Sequence, residues 1–363
     1  MKYCKKCLMP NTRPRITFDP EGVCNACRYQ ESKEKIDWAA RARELITLCD
    51  LHRSNNGEYD CVVPWSGGKD SSTIAYKLKT KYGMNPLLAC VSPMLPTAVG
   101  NANRETFLNL GFDYVLSRPN QKVHRYLARK FFIERGNPKA AWDAQVNSFP
   151  AQVAVQNNIK LVFYAEHGES EYGGEILHKD SSKTRDAEEV YQIQLGDDPR
   201  DWSDDTVQKN DLNPYLYPVD GMLGRGIKAY YYAWFEKWHM CENYKFAKDH
   251  WDFREATTVD GTWNGWDSID DKMDPLYYHM QYVKYGFGKA LRDAARMIQG
   301  GYMGRRKALG LIERNDSEFP ETDFEEVCEY LGMPDVRQMI ESHRNKDLFV
   351  KRDWVLRNPL PKG

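Results

Sequence analysis

A glycine- and serine-rich segment, PWSGGKDSS at 64–72, has the residue types that bind phosphate. It follows a short apolar run at 59–63 and precedes 73–82, where apolar residues recur at helical spacing, so the order is strand, tight turn and helix. Such a turn directs backbone N–H groups and a helix N-terminus toward one small volume, which favours a phosphate or pyrophosphate. Gly67 and Gly68 permit positive φ and a close approach of the backbone.

The side chains of this turn predict individual roles. Asp70 or Ser71 can cap the following helix, the serine hydroxyls can donate to phosphate oxygens, and Lys69 can contact the phosphates. The segment is not a Walker A loop, because the GxxxxGK[ST] spacing is absent. We take Lys69 and Asp70 as candidate catalytic residues. The predicted nucleotide contacts are Ser66, Gly67, Gly68, Lys69, Asp70, Ser71 and Ser72.

A second segment, EHGESEYGG at 166–174, holds the carboxylates of Glu166, Glu169 and Glu171 within six residues. Negative charge of this density is costly unless a cation compensates it. A magnesium ion shared with nucleotide phosphates would do so, because Mg²⁺ prefers carboxylate and phosphate oxygens. The alternative is a solvated acidic loop. We predict a magnesium site from these three residues, with Glu169 as the third candidate catalytic residue.

Four of the nine cysteines form two pairs near the N-terminus, Cys4-x₂-Cys7 and Cys24-x₂-Cys27. Each pair can form a turn that presents two thiolates, and two such turns complete a tetrahedral zinc site. A segment this short cannot build its own apolar core, so we predict a zinc ribbon that the metal holds together. Four thiolates leave no open position on the ion, so the zinc is expected to be structural. An iron–sulfur cluster is the alternative.

Composition restricts the class of protein. The chain has 363 residues, which is enough for two domains, and a formal net charge of -1 from 51 Lys and Arg against 52 Asp and Glu. This balance argues against a large nucleic-acid surface. No apolar run reaches the ~18 residues of a membrane-spanning helix, and the N-terminus has no signal-peptide pattern. We therefore expect a cytoplasmic protein without a membrane partner.

The elements that must position these groups alternate between strand and helix. Further strands are predicted at 86–91, 112–116 and 160–165 and a last one at 212–219. Helices are predicted at 98–110, 121–134 and 142–156. This alternation predicts an α/β fold with a doubly wound parallel sheet, in which ligands bind at the carboxyl ends of the strands. That rule selects the loops at 65–72, 91–97 and 166–174.

The remaining segments complete the predicted organisation. We predict a zinc ribbon at 1–31, a linker helix with its turn at 32–58, a nucleotide-binding domain at 59–220 and a mostly helical region at 221–363 for substrate or partner. Within the last, a loop between Asp249 and Pro275 is long enough to be functional. The helix after it has Lys284, Lys289, Arg292 and Arg296 on its polar side, which is either a solvated face or a contact for an anionic substrate.

The segment at 64–72 resembles the SGGxDS loop of the PP-loop ATP pyrophosphatases, a superfamily with an adenine-nucleotide-hydrolase-like fold. Together with the two CxxC pairs, EHGESEYGG and the block SIDDKMDPLYYHMQYVKYGFGKALRDAARMI at 268–298, it resembles the N-acetyl sugar amidotransferases. These enzymes serve lipopolysaccharide O-antigen synthesis and pathways of the pseudaminic and legionaminic acid type. The resemblance spans nearly the whole chain.

The resemblance implies that ATP activates the acetamido oxygen of a nucleotide-linked N-acetyl sugar and that ammonia then replaces it. The products would be an acetamidino sugar, AMP and pyrophosphate. The loop at 66–72 and a magnesium ion would stabilise charge on the leaving pyrophosphate.

The chain shows no ammonia source of its own. Lys2 follows the initiator where an N-terminal nucleophile would need cysteine, and no cysteine lies in a small-residue elbow. A separate glutaminase subunit, with or without a cyclase-like companion, is therefore expected to supply ammonia. The rival hypothesis is a PP-loop enzyme that thiolates tRNA. It would need a reactive cysteine near the loop, for which Cys90 is the candidate.

Overall fold

The computed structural model describes residues 1–350 and 355–361. Six of its strands join in one sheet with the order β3-β2-β1-β4-β6-β5, and two more form a small separate ribbon. All neighbours in the larger sheet are parallel except the short edge strand β5, which is antiparallel to β6. The strands are β1 (Cys61–Pro64), β2 (Pro86–Val91), β3 (Asp113–Ser117), β4 (Leu161–Tyr164), β5 (Thr184–Arg185), β6 (Lys228–Tyr231), β7 (Phe349–Val350) and β8 (Val355–Leu356).

Helices cover both faces of the larger sheet. Alternate residues of β1 belong to different apolar clusters: Cys61 and Val63 pack with α2, α3 and α10, whereas Val62 packs with α6. The helices are α1 (Asn25–Ser32), α2 (Trp38–His52), α3 (Lys69–Thr80), α4 (Ala98–Leu108), α5 (Gln121–Arg135), α6 (Ala140–Gln156), α7 (Gly168–Tyr172), α8 (Ala187–Glu189), α9 (Val219–Arg225), α10 (Met240–Trp251), α11 (Asp274–Tyr285), α12 (Lys289–Gln299), α13 (Arg305–Asn315), α14 (Phe324–Leu331) and α15 (Val336–Ser342). The predicted α/β class with a mostly parallel sheet is confirmed.

The strand order reverses direction at β1. The chain moves from β1 outward to β2 and β3 and then returns to place β4 on the other side of β1. The loops that leave the carboxyl ends of β1 and β4 therefore diverge from neighbouring strands. In open α/β sheets this is where a crevice for a ligand forms. The loops in question are the glycine-rich segment and the acidic segment.

One strand was predicted in the wrong place. The segment at 212–219 forms no strand, because residues 212–215 belong to a 3₁₀ helix, Lys209–Tyr215, and Val219 already begins α9. The strand that completes the parallel sheet is β6, whose aromatic-rich sequence carries no helical or strand periodicity of its own. Pro214 and Pro218 explain the difference, because proline cannot donate to a strand ladder. β6 also lies beyond residue 220, where we placed the end of the nucleotide-binding domain.

The N-terminal segment is less regular than the predicted ribbon. Isolated bridges, Tyr3 with Pro10 and Phe18 with Cys24, replace extended strands, and α1 begins directly after Cys24. The helix predicted from residue 32 begins instead at Trp38, where the Asp37 side chain accepts from the Ala40 N–H and caps α2. We call residues 1–31, with their four clustered cysteines, the cysteine module; it packs its apolar side on α12 and α13.

The loop between α10 and α11 lies against the carboxyl end of β2. Asp271 fixes it there, because its carboxylate accepts from the backbone N–H groups of Met94 (2.8 Å), Leu95 (3.1 Å) and Met273 (3.0 Å). The C-terminal region is thereby held at the same edge of the sheet as the loops from β1 and β4. Over 1–350 and 355–361, no helix has the length and apolar character needed to cross a lipid bilayer.

Candidate functional site

A cleft of about 390 Å³ lies at the carboxyl edge of the sheet. One wall is the glycine-rich segment, a second is the end of β4 with Ala165 and Glu166, and the third comes from the loop between α10 and α11 and from the start of α11. The structure thus brings the loop at 65–72 together with the first residue of the loop at 166–174, Glu166. The third selected loop, 91–97, does not line the cleft. Its backbone hydrogen-bonds to the α10–α11 loop and supports it.

The turn of the glycine-rich segment depends on Gly67. Its φ is +89°, and a Cβ atom there would lie 2.2 Å from Cγ of Arg104. α3 begins at Lys69 with Gly68 as its N-cap, and no side chain caps it. The N–H groups of its first turn therefore have no acceptor in the helix, which is the arrangement that binds phosphate. The prediction that Asp70 or Ser71 caps this helix is wrong, because the helix begins before them.

The three serines of the turn have different environments. Ser66 and Ser71 line the cleft, with the Ser71 hydroxyl accepting from the Ser66 N–H at 3.3 Å. Ser72 is fully buried, and its hydroxyl accepts from the indole N–H of Trp65 at 2.8 Å. Ser72 therefore supports the turn from inside the protein. The prediction that its hydroxyl faces the ligand is wrong.

Lys69 lies at the floor of the cleft with only 3% of its surface exposed. Its ammonium group contacts Asp267 at 2.6 Å and Asp70 at 2.8 Å. Burial alone would lower the pKa of Lys69, but these carboxylates raise it above its ordinary value. Asp267 also faces Lys289 at 3.3 Å and Arg292 at 3.8 Å. Lys69 is therefore a permanent cation, held by a carboxylate from the C-terminal region.

Asp70 and Glu166 are the two predicted acidic residues that line the cleft. Asp70 is partly exposed and accepts from the side-chain amide of Asn243 at 2.7 Å. Glu166 accepts from the Tyr172 hydroxyl at 2.7 Å. Burial, and next the charge of Asp70, raises the pKa of Glu166. Two carboxylates that line the same cleft beside a glycine-rich turn suit a divalent cation.

The other two predicted magnesium ligands point elsewhere. The Glu169 carboxylate accepts from Nε and Nη2 of Arg15, each at 2.9 Å, and Glu171 is buried against Lys33 at 2.5 Å. Neither lines the cleft, and no metal-sized group forms from the three glutamates within the described residues. The reason is helical geometry: α7 begins at Gly168 and turns these side chains toward the cysteine module. Glu169 is thus not placed as a catalytic residue.

The acidic segment is instead fastened to the cysteine module. Arg13 donates to the Gly173 carbonyl, Asn25 donates to the Gly174 carbonyl at 2.8 Å, and Gln30 donates to Glu171 at 2.9 Å. Gly173 has φ +81°, and a Cβ atom there would lie 3.1 Å from Cβ of Ala26. Both features require glycine at this position.

A buried lysine with three carboxylates forms the far wall of the cleft. Lys139 binds Asp274, and Asp143 and Asp270 lie beside it. Burial raises the pKa of Asp143 to about 6 and that of Asp274 to about 7. The length of the Asp249–Pro275 loop predicts a functional segment, but no sequence pattern assigns this lysine and its three carboxylates to a site. Only tertiary contacts bring them to the turn at 66–71.

The four clustered cysteines have the geometry of a metal site. Their Sγ atoms all lie within 4.8 Å of one another, with Cys4 to Cys27 at 3.8 Å and Cys7 to Cys24 at 3.5 Å. Tetrahedral zinc with Zn–S bonds of about 2.3 Å requires sulfur separations of about 3.8 Å. The residues therefore fit a zinc ion, as predicted.

The fold and these two sites define an α/β protein with a glycine-rich turn at a cleft on the carboxyl edge of its sheet and with a buried cluster of four cysteines. Residues 260–360 match the family model for the LPS biosynthesis protein WbpG-like, C-terminal domain. This match relates the C-terminal part of the chain to a family of lipopolysaccharide biosynthesis. A stretch of 106 residues is 28% identical to Uncharacterized protein MJ1599 of Methanocaldococcus jannaschii, covering 27% of this chain and 36% of the relative. The chain thus matches about a third of that protein's length.

Proposed function

We propose that this protein is an ATP-dependent amidotransferase that converts the acetamido group of a nucleotide-linked N-acetyl sugar into an acetamidino group. It would serve synthesis of a surface polysaccharide or a flagellin glycan. The observation that carries the proposal is the uncapped start of α3 beside Gly67, facing a cleft whose opposite wall lies in the part of the chain related to lipopolysaccharide biosynthesis.

The residues of the cleft suit the chemistry. An amide carbonyl is a poor electrophile, so its oxygen first attacks the α-phosphorus of ATP and pyrophosphate leaves. Ammonia then adds to the activated carbon, and AMP departs with the original oxygen. The N–H groups at the start of α3, the Ser71 hydroxyl and the Lys69 ammonium would stabilise the charge that develops on pyrophosphate.

Magnesium would be held by Asp70 and Glu166, the two carboxylates that line the cleft next to the turn. When bound, the ion would neutralise phosphate charge and help the leaving group depart. Tyr172 would orient Glu166 through the hydrogen bond that its hydroxyl donates.

The cysteines support a separate ammonia donor. Of the five outside the cluster, Cys49, Cys61, Cys90 and Cys241 are buried, and burial raises the pKa of the Cys90 thiol to about 12. A thiol of this kind is a poor nucleophile for glutamine or for sulfur transfer. We therefore propose that a glutaminase subunit, with or without a cyclase-like companion, delivers ammonia in the cytoplasm.

The test is an assay of AMP and pyrophosphate release with ATP, Mg²⁺ and ammonium chloride, with and without a panel of nucleotide-linked N-acetyl sugars. Sugar-dependent AMP formation with a product about one dalton lighter, from exchange of O for NH, would support the proposal. Glu166→Gln should abolish AMP formation without changing the unfolding midpoint. AMP release that depends on bulk tRNA and not on any sugar would overturn the proposal in favour of thiolation.

A further inference from the structure

A second cavity, of about 460 Å³, adjoins the cleft at the carboxyl edge of the sheet, which we call the nucleotide cleft. We call it the arginine cavity, after the five cationic residues in its lining: Arg13, Arg15, Lys284, Arg292 and Arg296. None of the described residues that line it is an aspartate or a glutamate. A cavity with this excess of positive charge is suited to an anionic ligand.

The cations of the arginine cavity are only partly neutralised. Arg15 is paired with Glu169 at 2.9 Å, and Arg292 lies 3.8 Å from Asp267. The guanidinium carbon of Arg296 lies 3.5 Å from the ring centroid of Tyr172, and no carboxylate within 1–350 and 355–361 forms an ion pair with Arg296. An arginine stacked on an aromatic ring keeps its N–H groups available for a phosphate.

The rest of the lining is typical of sites for sugars and nucleobases. Aromatic rings and uncharged amides share the lining of the cavity, where they offer stacking surfaces and hydrogen bonds to hydroxyl groups. These residues are Tyr172, Tyr277, Tyr285, Phe287, Asn137, Gln194, Gln281 and Gln299. Cations for phosphate, amides for hydroxyls and rings for a base together describe a nucleoside diphosphate linked to a sugar.

The arginine cavity and the nucleotide cleft share one wall. Tyr277 and Tyr278, near the start of α11, line both. The Tyr278 hydroxyl accepts from Arg292 at 2.8 Å, and Asp267 contacts both Arg292 and Lys69. A ligand that filled the arginine cavity would therefore reach the cleft across Tyr277 and Tyr278.

We propose that the arginine cavity binds the nucleoside-diphosphate part of the sugar substrate, with Arg296 contacting the diphosphate and the acetamido end directed toward the nucleotide cleft. The ligand's role as the substrate rests on the proposed function, whereas the binding of a nucleoside diphosphate in this cavity does not depend on it. The four basic residues that the sequence placed on one helix side separate in the structure. Lys284 lies on α11, and Lys289 is buried against Asp293 at 2.8 Å and does not line the cavity, so Arg292 and Arg296 are the members that α12 contributes.

The test measures binding by titration calorimetry on the full-length, zinc-loaded chain. The protein is first saturated with Mg²⁺ and α,β-methylene ATP, so that the nucleotide cleft is filled. UDP-N-acetylglucosamine, UDP, GDP and dTDP are then titrated as probes. We expect at least one probe to bind. Arg296→Gln should weaken that probe about 10- to 100-fold, which is the usual loss for a charge-assisted hydrogen bond.

Two further variants make the result specific. Gln299→Glu, which adds a negative charge to the lining, should also weaken the probe. Arg306→Gln, which removes an exposed arginine of α13 outside the cavity, should leave its Kd unchanged. Unfolding midpoints of all three should match the parent. The proposal is overturned if no probe binds, if Arg296→Gln and Gln299→Glu leave Kd unchanged, or if bulk tRNA displaces the probe.

The two proposals fail separately. Probe binding without any binding of α,β-methylene ATP would refute the proposed function and leave the assignment of the arginine cavity intact. Binding of the ATP analogue that depends on Ser71, without any probe binding, would refute only the cavity assignment.

Discussion

Replacing Glu171 with glutamine decides whether the acidic segment binds magnesium or holds the fold. Glu171 and Lys33 are almost fully buried, at 3% and 1% side-chain exposure, with a separation of 2.5 Å. Removing one partner of a buried ion pair costs about 3–5 kcal/mol, because the other charge remains without compensation. The introduced amide keeps one oxygen that can accept from Gln30 or Lys33, so we expect the lower end of that range, about 3 kcal/mol.

The double variant Lys33→Met/Glu171→Gln should recover most of this loss, because it removes both charges and leaves the Gln30 hydrogen bond possible. Glu169→Gln is the matched control. Its partner Arg15 is 37% exposed, so the change should cost no more than about 1 kcal/mol. Unfolding in urea, followed by tryptophan fluorescence at saturating zinc, measures each difference.

The pH dependence provides a second readout. Burial lowers the pKa of Lys33, and the charge of Glu171 partly opposes this. Without that charge the pKa of Lys33 falls further, so the folded state releases its proton at a lower pH than the unfolded state. The unfolded state then binds more protons, and the deficit of Glu171→Gln should shrink as pH rises toward the ordinary lysine pKa of about 10.4.

The Mg²⁺ concentration for half-maximal AMP formation should be unchanged in Glu171→Gln and Glu169→Gln. The reasoning is refuted if Glu171→Gln unfolds like the parent protein and requires several-fold more Mg²⁺. That result would return Glu171 to the magnesium site that the sequence predicts.

Three further predictions concern the cleft. Ser71→Ala should raise the Kd of α,β-methylene ATP about tenfold with unfolding unchanged, whereas Ser72→Ala should leave that Kd unchanged and lower stability by about 1–2 kcal/mol, because the Trp65 indole loses its acceptor. Gly67→Ala should weaken the ATP analogue, because a side chain at φ +89° is strained and meets Arg104; equal Kd values would contradict it. Burial raises the pKa of Asp143 from 3.8 to about 6, so the protonated carboxyl favours the folded state at low pH and stability falls as pH rises through 6. In urea titrations the parent should lose up to about 3 kcal/mol of stability in this way, and Asp143→Asn should lack that loss.

The sequence predicted the strands and helices around the cleft because each carries its own periodicity. The helix starting points at α4, α5 and α6 lie within two residues of prediction, and β2 matches at both ends. β6 was missed for a physical reason. Its residues, Lys228–Tyr231, form a strand through pairing with β4, and four residues give no pattern that separates a strand from an aromatic helix stripe.

The glutamates show the same limit within the site. Spacing alone cannot tell which of three nearby carboxylates face a cleft, because Glu166 precedes α7 whereas Glu169 and Glu171 lie on it. The decisive contacts come from Arg15 and Lys33, more than 130 residues earlier in the chain. Asp267 was likewise out of reach, because its partner Lys69 is 198 residues away. Local patterns therefore indicate the kind of chemistry, and long-range contacts decide which residues perform it.

A structural zinc ion in this protein is expected to control the substrate site without touching it. The cysteine module presents Arg13 and Arg15 to the arginine cavity and also holds the acidic segment that follows β4. A segment of about 30 residues cannot hold these positions without its metal. Chelation should therefore weaken nucleoside-diphosphate binding and also displace Glu166, which would lower the rate of AMP formation. Atomic emission measures the loss of zinc. Retention of full probe affinity in the zinc-free chain would show that the arginine cavity binds its ligand without an ordered cysteine module.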